Sequence, residues 1–223
     1  MYIRTATPDD AKALAAVAAE TFPLACPPST TRSSIDDFIA RHLSADRMLE
    51  YLADPARVLL LAEDAAEIAA ESAGYAMLIF GEPADADVAA AITARPTAEL
   101  SKLYVREGFH GQGVAPLLVE TALAAALEHA AGGVWLGVNQ LNARANRFYE
   151  KSGFTIVGTK RFLVGDTYED DFVRELRFPL VESAHRSRKP VHAGSGAIHP
   201  RCSVRAGGSA EPGRTSFHSS TSE

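Results

Sequence analysis

The chain has 223 residues, a formal net charge of −6 and two cysteines, Cys26 and Cys202. This length allows one domain with a buried core, and two cysteines so far apart make neither a disulfide framework nor a metal-binding spacing. No apolar run approaches the roughly 20 residues that span a bilayer, and the N-terminus lacks the apolar stretch of a signal peptide. We therefore expect a cytoplasmic protein with no membrane partner.

The charge is unevenly distributed along the chain. Residues 183–223 hold six Lys and Arg against two acids, a net charge of +4, which leaves −10 on residues 1–182. An acidic body favours cationic substrates and disfavours nucleic acid as a partner, although the need for solubility alone can explain such a charge.

Helical and strand-like patterns alternate over residues 1–181. In chain order the predicted elements are a strand (2–4), three helices (7–20, 35–43 and 44–54), two strands (58–62 and 75–80), a loop with a short helical piece (82–98), a strand (99–105), a helix (114–130), a strand (134–138), a helix (142–152) and two strands (154–162 and 172–178). This order predicts an α/β (α+β) fold with a mixed sheet flanked by helices. Residues 99–138 should form a right-handed parallel strand–helix–strand unit, and the last two strands an antiparallel pair.

The composition changes at Glu182. The last 41 residues hold nine Ser, five Gly and three Pro, and no Leu. Such a segment cannot bury enough apolar area to offset the entropy of ordering it. We expect a domain over residues 1–181 and a disordered, basic tail over residues 182–223. The histidines of this tail are too widely spaced to predict a metal site.

A glycine loop, His110-Gly111-Gln112-Gly113-Val114-Ala115, connects a predicted strand to a predicted helix. Small residues let the backbone approach a phosphate, and free amides at a helix start favour an anion. Pro116 falls in the first turn, where its missing N–H costs nothing. An ordinary tight connection can show the same Gly-x-Gly turn. A dinucleotide-binding loop would need a third glycine, and a Walker loop would need Gly-Lys-Ser/Thr.

About thirty residues further on, a predicted helix carries a polar face. Asn142 suits its N-cap and Gly153 its C-terminal end. At 100° per residue, Asn142, Ala145 and Tyr149 lie on the same face, and Phe148 is one step round toward the core. A capped helix with an aromatic core pair would show this pattern without any ligand.

In this order and at this spacing, the two motifs resemble the pyrophosphate and pantetheine site of the GCN5-related N-acetyltransferases (GNAT). Gly113 and Ala115 meet the family pattern Gln/Arg-x-x-Gly-x-Gly/Ala, and His110, which can also donate to phosphate, replaces the usual Gln or Arg. The resemblance implies a mixed, mostly antiparallel sheet, with acetyl-CoA as co-substrate in the cleft between the two central parallel strands. It implies no metal.

The resemblance also implies roles for individual residues. Asn142 would contact the pantetheine arm, Ala145 would leave room for CoA, and Tyr149 would protonate the departing thiolate. The strand backbone at Leu103, Tyr104 and Val105 would polarise the thioester carbonyl. The pyrophosphate would lie against His110, Gly111, Gln112, Gly113, Val114, Ala115 and Pro116. Glu99, early in the same strand, is our candidate base for the amine, directly or through water; the alternative is a salt-bridged strand end.

Three further segments are similar to the PaiA-type spermidine/spermine acetyltransferases. They are Val134-Trp-Leu-Gly-Val-Asn-Gln-Leu-Asn142, Phe148-Tyr-Glu-Lys-Ser-Gly-Phe154 and Phe162-Leu-Val-Gly-Asp-Thr-Tyr-Glu-Asp-Asp171. This likeness implies acetyl transfer to a primary amine of a small cationic acceptor such as a polyamine, which Asp166, Asp170 and Asp171 in a turn between the last two strands can bind. The chain departs from that branch at Asn139-Gln140, where Trp-Glu is more usual.

Two alternatives stay open from the sequence. The chain can be a protein or peptide N-acetyltransferase, or a non-catalytic acyl-CoA-binding regulatory module. Homodimers are common in the family, and the sequence does not decide whether this chain forms one.

Overall fold

The computed structural model describes residues 1–26, 30–64, 71–164 and 167–179. The strands in these ranges are β1 (Tyr2–Thr5), β2 (Arg57–Asp64), β3 (Glu71–Phe80), β4 (Thr97–Val105), β5 (Gly133–Asn139), β6 (Thr155–Val164) and β7 (Thr167–Arg177). The α-helices are α1 (Ala11–Ala25), α2 (Arg32–His42), α3 (Ala45–Ala53), α4 (Ala86–Ala91), α5 (Val114–Glu128) and α6 (Ala143–Lys151). Short 3-10 turns at Pro8–Asp10 and Glu107–Phe109 precede α1 and the glycine loop.

The seven strands form one sheet in the order β1-β2-β3-β4-β5-β7-β6. Every neighbouring pair is antiparallel except β4 and β5. The mixed, mostly antiparallel sheet predicted from the sequence is confirmed, and so is the parallel pairing of the strands on either side of the glycine loop.

Alternating side chains build a separate core on each face of the sheet. Leu60 and Ala62 of β2 pack with α5, whereas Leu59 and Leu61 pack with α1, α2 and α3. Because successive residues of a strand point to opposite faces, one apolar run serves both cores. This explains why β2 is continuously hydrophobic and was recognisable as a buried strand.

Helix α1 is longer than its predicted span, which ended at Glu20. It continues to Ala25 because Thr21 and Phe22 extend its buried face, and Pro23 lies inside the helix. Strand β4 begins at Thr97, two residues before the predicted start at Glu99. In both cases tertiary burial extends an element beyond its local signals.

The acidic segment between the last two strands is the main correction. Asp170 and Asp171 were expected in a turn, but both lie within β7, which pairs with β6 from Thr167 to Glu175. Alternation along β7 therefore separates them: Asp170 is exposed and Asp171 is buried. Asp166 lies outside the described residues.

The predicted tail, residues 182–223, also lies outside the described residues and stays a prediction. Over the part of the chain that the structure describes, we find no helix with the length and apolarity needed to cross a membrane.

Candidate active site

The site begins where β4 and β5 separate. The two parallel strands pair only between Thr97–Glu99 and Gly133–Trp135. Just beyond, the register between β3 and β4 shifts, since Leu78 faces Leu100 but Met77 faces Lys102. A shift of this kind inserts an extra residue into a strand and bends it. The second half of β4 consequently leaves its neighbour, and an opening forms in the middle of the sheet.

A donor cavity of about 460 Å³ lies against this opening, lined by the start of α5 and also by Thr21, Leu24 and Ala25 of α1. Its lining includes Leu103, Tyr104 and Val105 of β4, His110, Gly111, Gly113, Val114, Ala115 and Pro116 of the glycine loop and α5, and Asn142, Arg144, Ala145, Phe148 and Tyr149 of α6 or its cap. Nearly all the cofactor-binding residues predicted from the sequence therefore meet in one cavity. Gln112 is the exception, because its side chain turns back to donate to the carbonyl oxygen of Gly108 (2.8 Å).

The glycine loop has the backbone shape that only glycine adopts easily. Gly111 and Gly113 have φ values of +81° and +82°, in the left-handed region. A Cβ added at either position would meet nothing within 4 Å, so both glycines face open space. Helix α5 starts at Val114, and the amides of its first turn have no partner within the helix. These amides form a cradle suited to an anion.

His110 fixes the loop to the end of β4. Its Nε2 donates to the carbonyl oxygen of Val105 (2.9 Å), and its Nδ1 accepts from Nη1 of Arg144 (3.3 Å). The ring was expected to donate to phosphate, yet both of its nitrogens have protein partners. Arg144, which the sequence reasoning missed, brings an exposed guanidinium to the donor cavity instead.

Helix α6 holds Tyr149 at the junction of the two faces. The Asn142 side chain caps the helix by accepting from the amide of Ala145 (3.0 Å). Asn146 donates to the carbonyl oxygens of Asn139 (2.9 Å) and Asn142 (3.0 Å). The buried Arg174 of β7 in turn donates to Oδ1 of Asn146 (3.1 Å). The helix is thus bound to both β5 and β7.

The Tyr149 phenol lies in a largely apolar setting. Its ring centroid is 5.2 Å from that of Phe148 and 5.8 Å from that of Phe154. Burial raises the pKa of Tyr149 above its ordinary value. The phenol is therefore fully protonated near neutral pH and can act as a proton donor.

An acceptor cavity of about 250 Å³ lies on the α1 side of the same opening. Its charged lining residues are Glu99, Lys102, Lys160, Glu169 and Asp171. Phe22 of α1, Cys26 at the C-cap of α1 and Phe38 of α2 cover it. The two cavities share Ala25, Leu103, Tyr104, Asn142, Ala145 and Tyr149. They therefore meet at the opening in the sheet, with the Tyr149 side chain lining both.

Glu99 is oriented into the acceptor cavity. Desolvation raises the pKa of its carboxyl, although Lys160, Lys102 and Arg57 oppose the shift. A carboxylate with a raised pKa is a stronger base than one in water. The alternative of a salt-bridged strand end is not what we find, since Glu99 forms no salt bridge with any described residue.

A second acidic group lies two strands away on β7. Burial raises the pKa of Asp171 to about 6, with the Lys160 ammonium opposing the rise and Glu169 adding to it. Glu169 accepts from Nδ2 of Asn139 (3.2 Å). The sequence reasoning named Asp171 but missed Glu169. The alternation Glu169-x-Asp171, typical of a strand, was the signal that could have found it.

Comparisons with known proteins agree with this geometry. A model of the acetyltransferase (GNAT) family matches residues 21–154. An uncharacterized N-acetyltransferase of Mycobacterium tuberculosis is 49% identical over 169 residues, which are 75% of this chain and 98% of that protein. The PaiA N-acetyltransferase of Thermoplasma acidophilum, solved with coenzyme A, superposes with a TM-score of 0.61 at 20% identity, over 79% of this chain and 98% of that one. NAA60 of Arabidopsis thaliana, solved with acetyl-CoA, gives a TM-score of 0.61 at 16% identity, over 79% and 97% of the two chains.

The chain belongs to the GNAT acetyltransferase family. It is an acetyl-CoA-dependent N-acetyltransferase, so the reading as a non-catalytic module is set aside. The two solved structures are too distant in sequence to show more than the shared fold. Among the described residues, no group of His, Cys, Asp and Glu is arranged to hold a metal ion.

Proposed function

We propose that this enzyme transfers acetyl directly from acetyl-CoA to a primary amine of a small cationic acceptor. The observation that carries the proposal is the meeting of two cavities at the opening between β4 and β5, one lined by the glycine loop and the other by three carboxylates. A donor bound in the first cavity and an acceptor bound in the second would meet beside Tyr149. Holding both reactants in this way supplies much of the rate of a direct transfer.

The donor cavity supports a definite arrangement of acetyl-CoA. The amides of Gly113, Val114 and Ala115 suit the pyrophosphate, and Arg144 can add a positive charge beside it. The pantetheine arm would run past Asn142 and Ala145, where the small alanine leaves space. Its thioester would then reach the backbone of Leu103–Val105, which can polarise the carbonyl.

The chemistry needs two proton transfers, and the opening holds one group for each. The acceptor arrives as an ammonium and must lose a proton before its nitrogen attacks the thioester carbon. Glu99 is the base in this proposal, directly or through water. As the C–S bond breaks, Tyr149 would protonate the CoA thiolate. No covalent acetyl-enzyme is needed.

The acidic side of the acceptor cavity supports a cationic acceptor. Asp171 and Glu169 lie beyond the opening on β7 and can bind a second ammonium of the same molecule. Spermidine and spermine are therefore candidates, as the likeness to PaiA-type enzymes suggests. A small cavity covered by α1 and α2 suits a small molecule better than a folded protein.

The test is CoA-thiol release by the full chain with acetyl-CoA and a panel of amines. The panel holds spermidine, spermine, basic amino acids, neutral amines and short peptides. The proposal predicts saturable turnover on small cations and little on neutral amines of the same length. Turnover confined to peptides would mean that the acceptor is a peptide amine and not a small molecule. A preference for neutral amines would refute the role of the acidic side of the acceptor cavity.

A further inference from the structure

The acceptor cavity has a positive end that the proposed chemistry does not use. Lys102 of β4 lines this cavity, with its ammonium 5.6 Å from the ring centroid of Tyr51. The guanidinium groups of Arg57 and Arg47 lie 4.8 Å and 5.8 Å from the same centroid. Three cations therefore surround the Tyr51 ring, and Lys102 is the one of the three that lines the cavity.

Lys102 differs from its two neighbours in having no ion-pair partner. Arg57 is paired with Asp54 (2.8 Å) and Arg47 with Glu50. Lys102, in contrast, forms no salt bridge with any residue that the structure describes. The pKa of Lys102 is lowered to about 8, mainly by desolvation; Glu99 opposes this shift and Arg57 adds to it, so the ammonium is still mostly protonated at neutral pH. A desolvated ammonium without a partner is stabilised by an anion.

The charges around Lys102 leave a surplus of positive charge there. Glu99 is the acid that acts on Lys102, but it also faces Lys160 and Arg57. The pKa of His42 is lowered by desolvation and by the cations Arg47, Lys102 and Arg41, which shows the same positive potential from the α2 side. The far end of the cavity has a surplus of negative charge, because the two carboxylates of Glu169 and Asp171 face the one ammonium of Lys160 there.

These charges are ordered across the sheet. Lys102 and Glu99 lie on β4, Gly137 and Asn139 on β5, and Glu169 and Asp171 on β7, which are three neighbouring strands. Paired strands are about 4.8 Å apart, and β4 and β5 separate beyond Glu99, so the two ends are at least about 10 Å apart. The opening with Tyr149 lies between them, where the reacting nitrogen must be.

Building on the proposed function, we infer that Lys102 is an anion subsite that binds the carboxylate of the acceptor, which is a basic α-amino acid. Its carboxylate pairs with Lys102, its α-amine lies at the opening beside Glu99 and receives the acetyl group, and its side-chain ammonium lies against Asp171 and Glu169. A linear polyamine has no anionic group that could bind at the positive end of the cavity. The reaction is balanced as before: a C–N bond forms, the C–S bond breaks, and CoA leaves as the thiol.

The experiment compares L-lysine with L-lysinamide and cadaverine, which keep the chain but lack the negative charge. Binding to the CoA-loaded full chain is measured by calorimetry, and acetylation is measured by CoA release. We expect L-lysine to bind at least about tenfold more tightly than either analogue. Lys102→Met should remove this preference by weakening the binding of L-lysine alone, and Lys102→Arg should keep most of it. Lys160→Met, which removes a cation from the other end, should not abolish the preference.

Each result tests the proposed anion subsite independently of the enzyme's activity. If either analogue binds wild-type protein as well as L-lysine does, if L-lysine fails to bind, or if Lys102→Met weakens all three alike, the subsite is refuted. Turnover on amines with no carboxylate preference would overturn the inference and leave the proposed function standing. A Lys102-dependent preference in binding, without acetyl transfer to any amine, would support the subsite and refute the proposed function.

Discussion

At the scale of single residues, two phenols compete for the role of proton donor. Tyr104 and Tyr149 both line both cavities, and burial raises the pKa of each above its ordinary value. Tyr104 stacks on the buried Tyr75, with centroids 5.6 Å apart, as a core residue does. Tyr149 projects from the helix whose N-cap also lines the donor cavity, and we therefore assign the proton transfer to it.

Replacing each phenol by phenylalanine separates these roles. Tyr149→Phe should lower kcat by at least about tenfold, because the thiolate then leaves without a proton donor. Its affinity for CoA should hardly change, since the ring stays in place. Tyr104→Phe is the matched control and should keep most of the activity. Steady-state kinetics and calorimetry with CoA measure both effects, and the reverse ranking of the two variants would move the role to Tyr104.

The pH dependence of the reaction tests Glu99 as the base. Burial raises the pKa of Glu99, and only the deprotonated form can accept a proton, so kcat/KM should fall as pH drops through that raised pKa. Glu99→Gln should remove this acidic limb and lower kcat/KM by at least about tenfold. Asp171→Asn should raise KM for the acceptor and leave the limb in place. A limb that survives in Glu99→Gln but disappears in Asp171→Asn would make Asp171 the base.

At the scale of the elements, the glycine loop is the part whose shape is most directly tied to a ligand. Gly113 combines a positive φ with open space around its Cα. Gly113→Asp places a carboxylate beside the proposed pyrophosphate site, and we expect CoA affinity to fall by at least about tenfold. Gly113→Asn carries the same bulk and backbone strain without the charge. Calorimetry should therefore find it clearly tighter than the aspartate variant; equal affinity for CoA in wild type and both variants would refute the cradle.

Strand β5 offers a second matched pair of glycines. A Cβ at Gly133 would lie 2.6 Å from the carbonyl oxygen of Leu176, which is backbone and cannot give way. A Cβ at Gly137 would instead meet the end of the Lys160 side chain, and Oδ2 of Asp171 at 3.2 Å. Gly133→Ala should therefore lower the free energy of unfolding by about 1–3 kcal/mol.

The same change at Gly137 should affect function more than stability. Lys160 can move aside, so the free energy of unfolding should change by less than about 0.5 kcal/mol. KM for the acceptor should rise, because the displaced ammonium disturbs the charges around Asp171. Denaturant titration and steady-state kinetics of both variants provide the check. Equal losses of stability at the two positions would mean that Lys160 is held as firmly as backbone.

The elements themselves were largely predictable, because each has a local cause. The buried run of β2, the caps at Ser44 and Asn142 and the glycine loop all act within a few residues of the chain. The extension of α1 to Ala25 was not predictable, since it depends on a core assembled from distant segments. Three charged residues of the acceptor cavity, Glu169, Lys160 and Lys102, were missed for the same reason. They join the predicted Glu99 and Asp171 only through the order of the strands, which the sequence does not state.

At the scale of the whole molecule, the opening between β4 and β5 connects the donor cavity with the acceptor cavity. The start of α5 lines the donor cavity, whereas the end of α1 and Tyr149 line both cavities. This arrangement predicts a complex with both reactants bound together and a transfer that never attaches acetyl to the protein.

The most direct test of this claim is a single-turnover experiment with the full chain, stoichiometric acetyl-CoA and an acceptor from the panel, followed by mass spectrometry of protein and acceptor. If transfer is direct, acetylated acceptor and free CoA appear together, and the protein keeps its original mass at every time point. An acetylated protein that forms before the product and decays into it would contradict direct transfer across the opening.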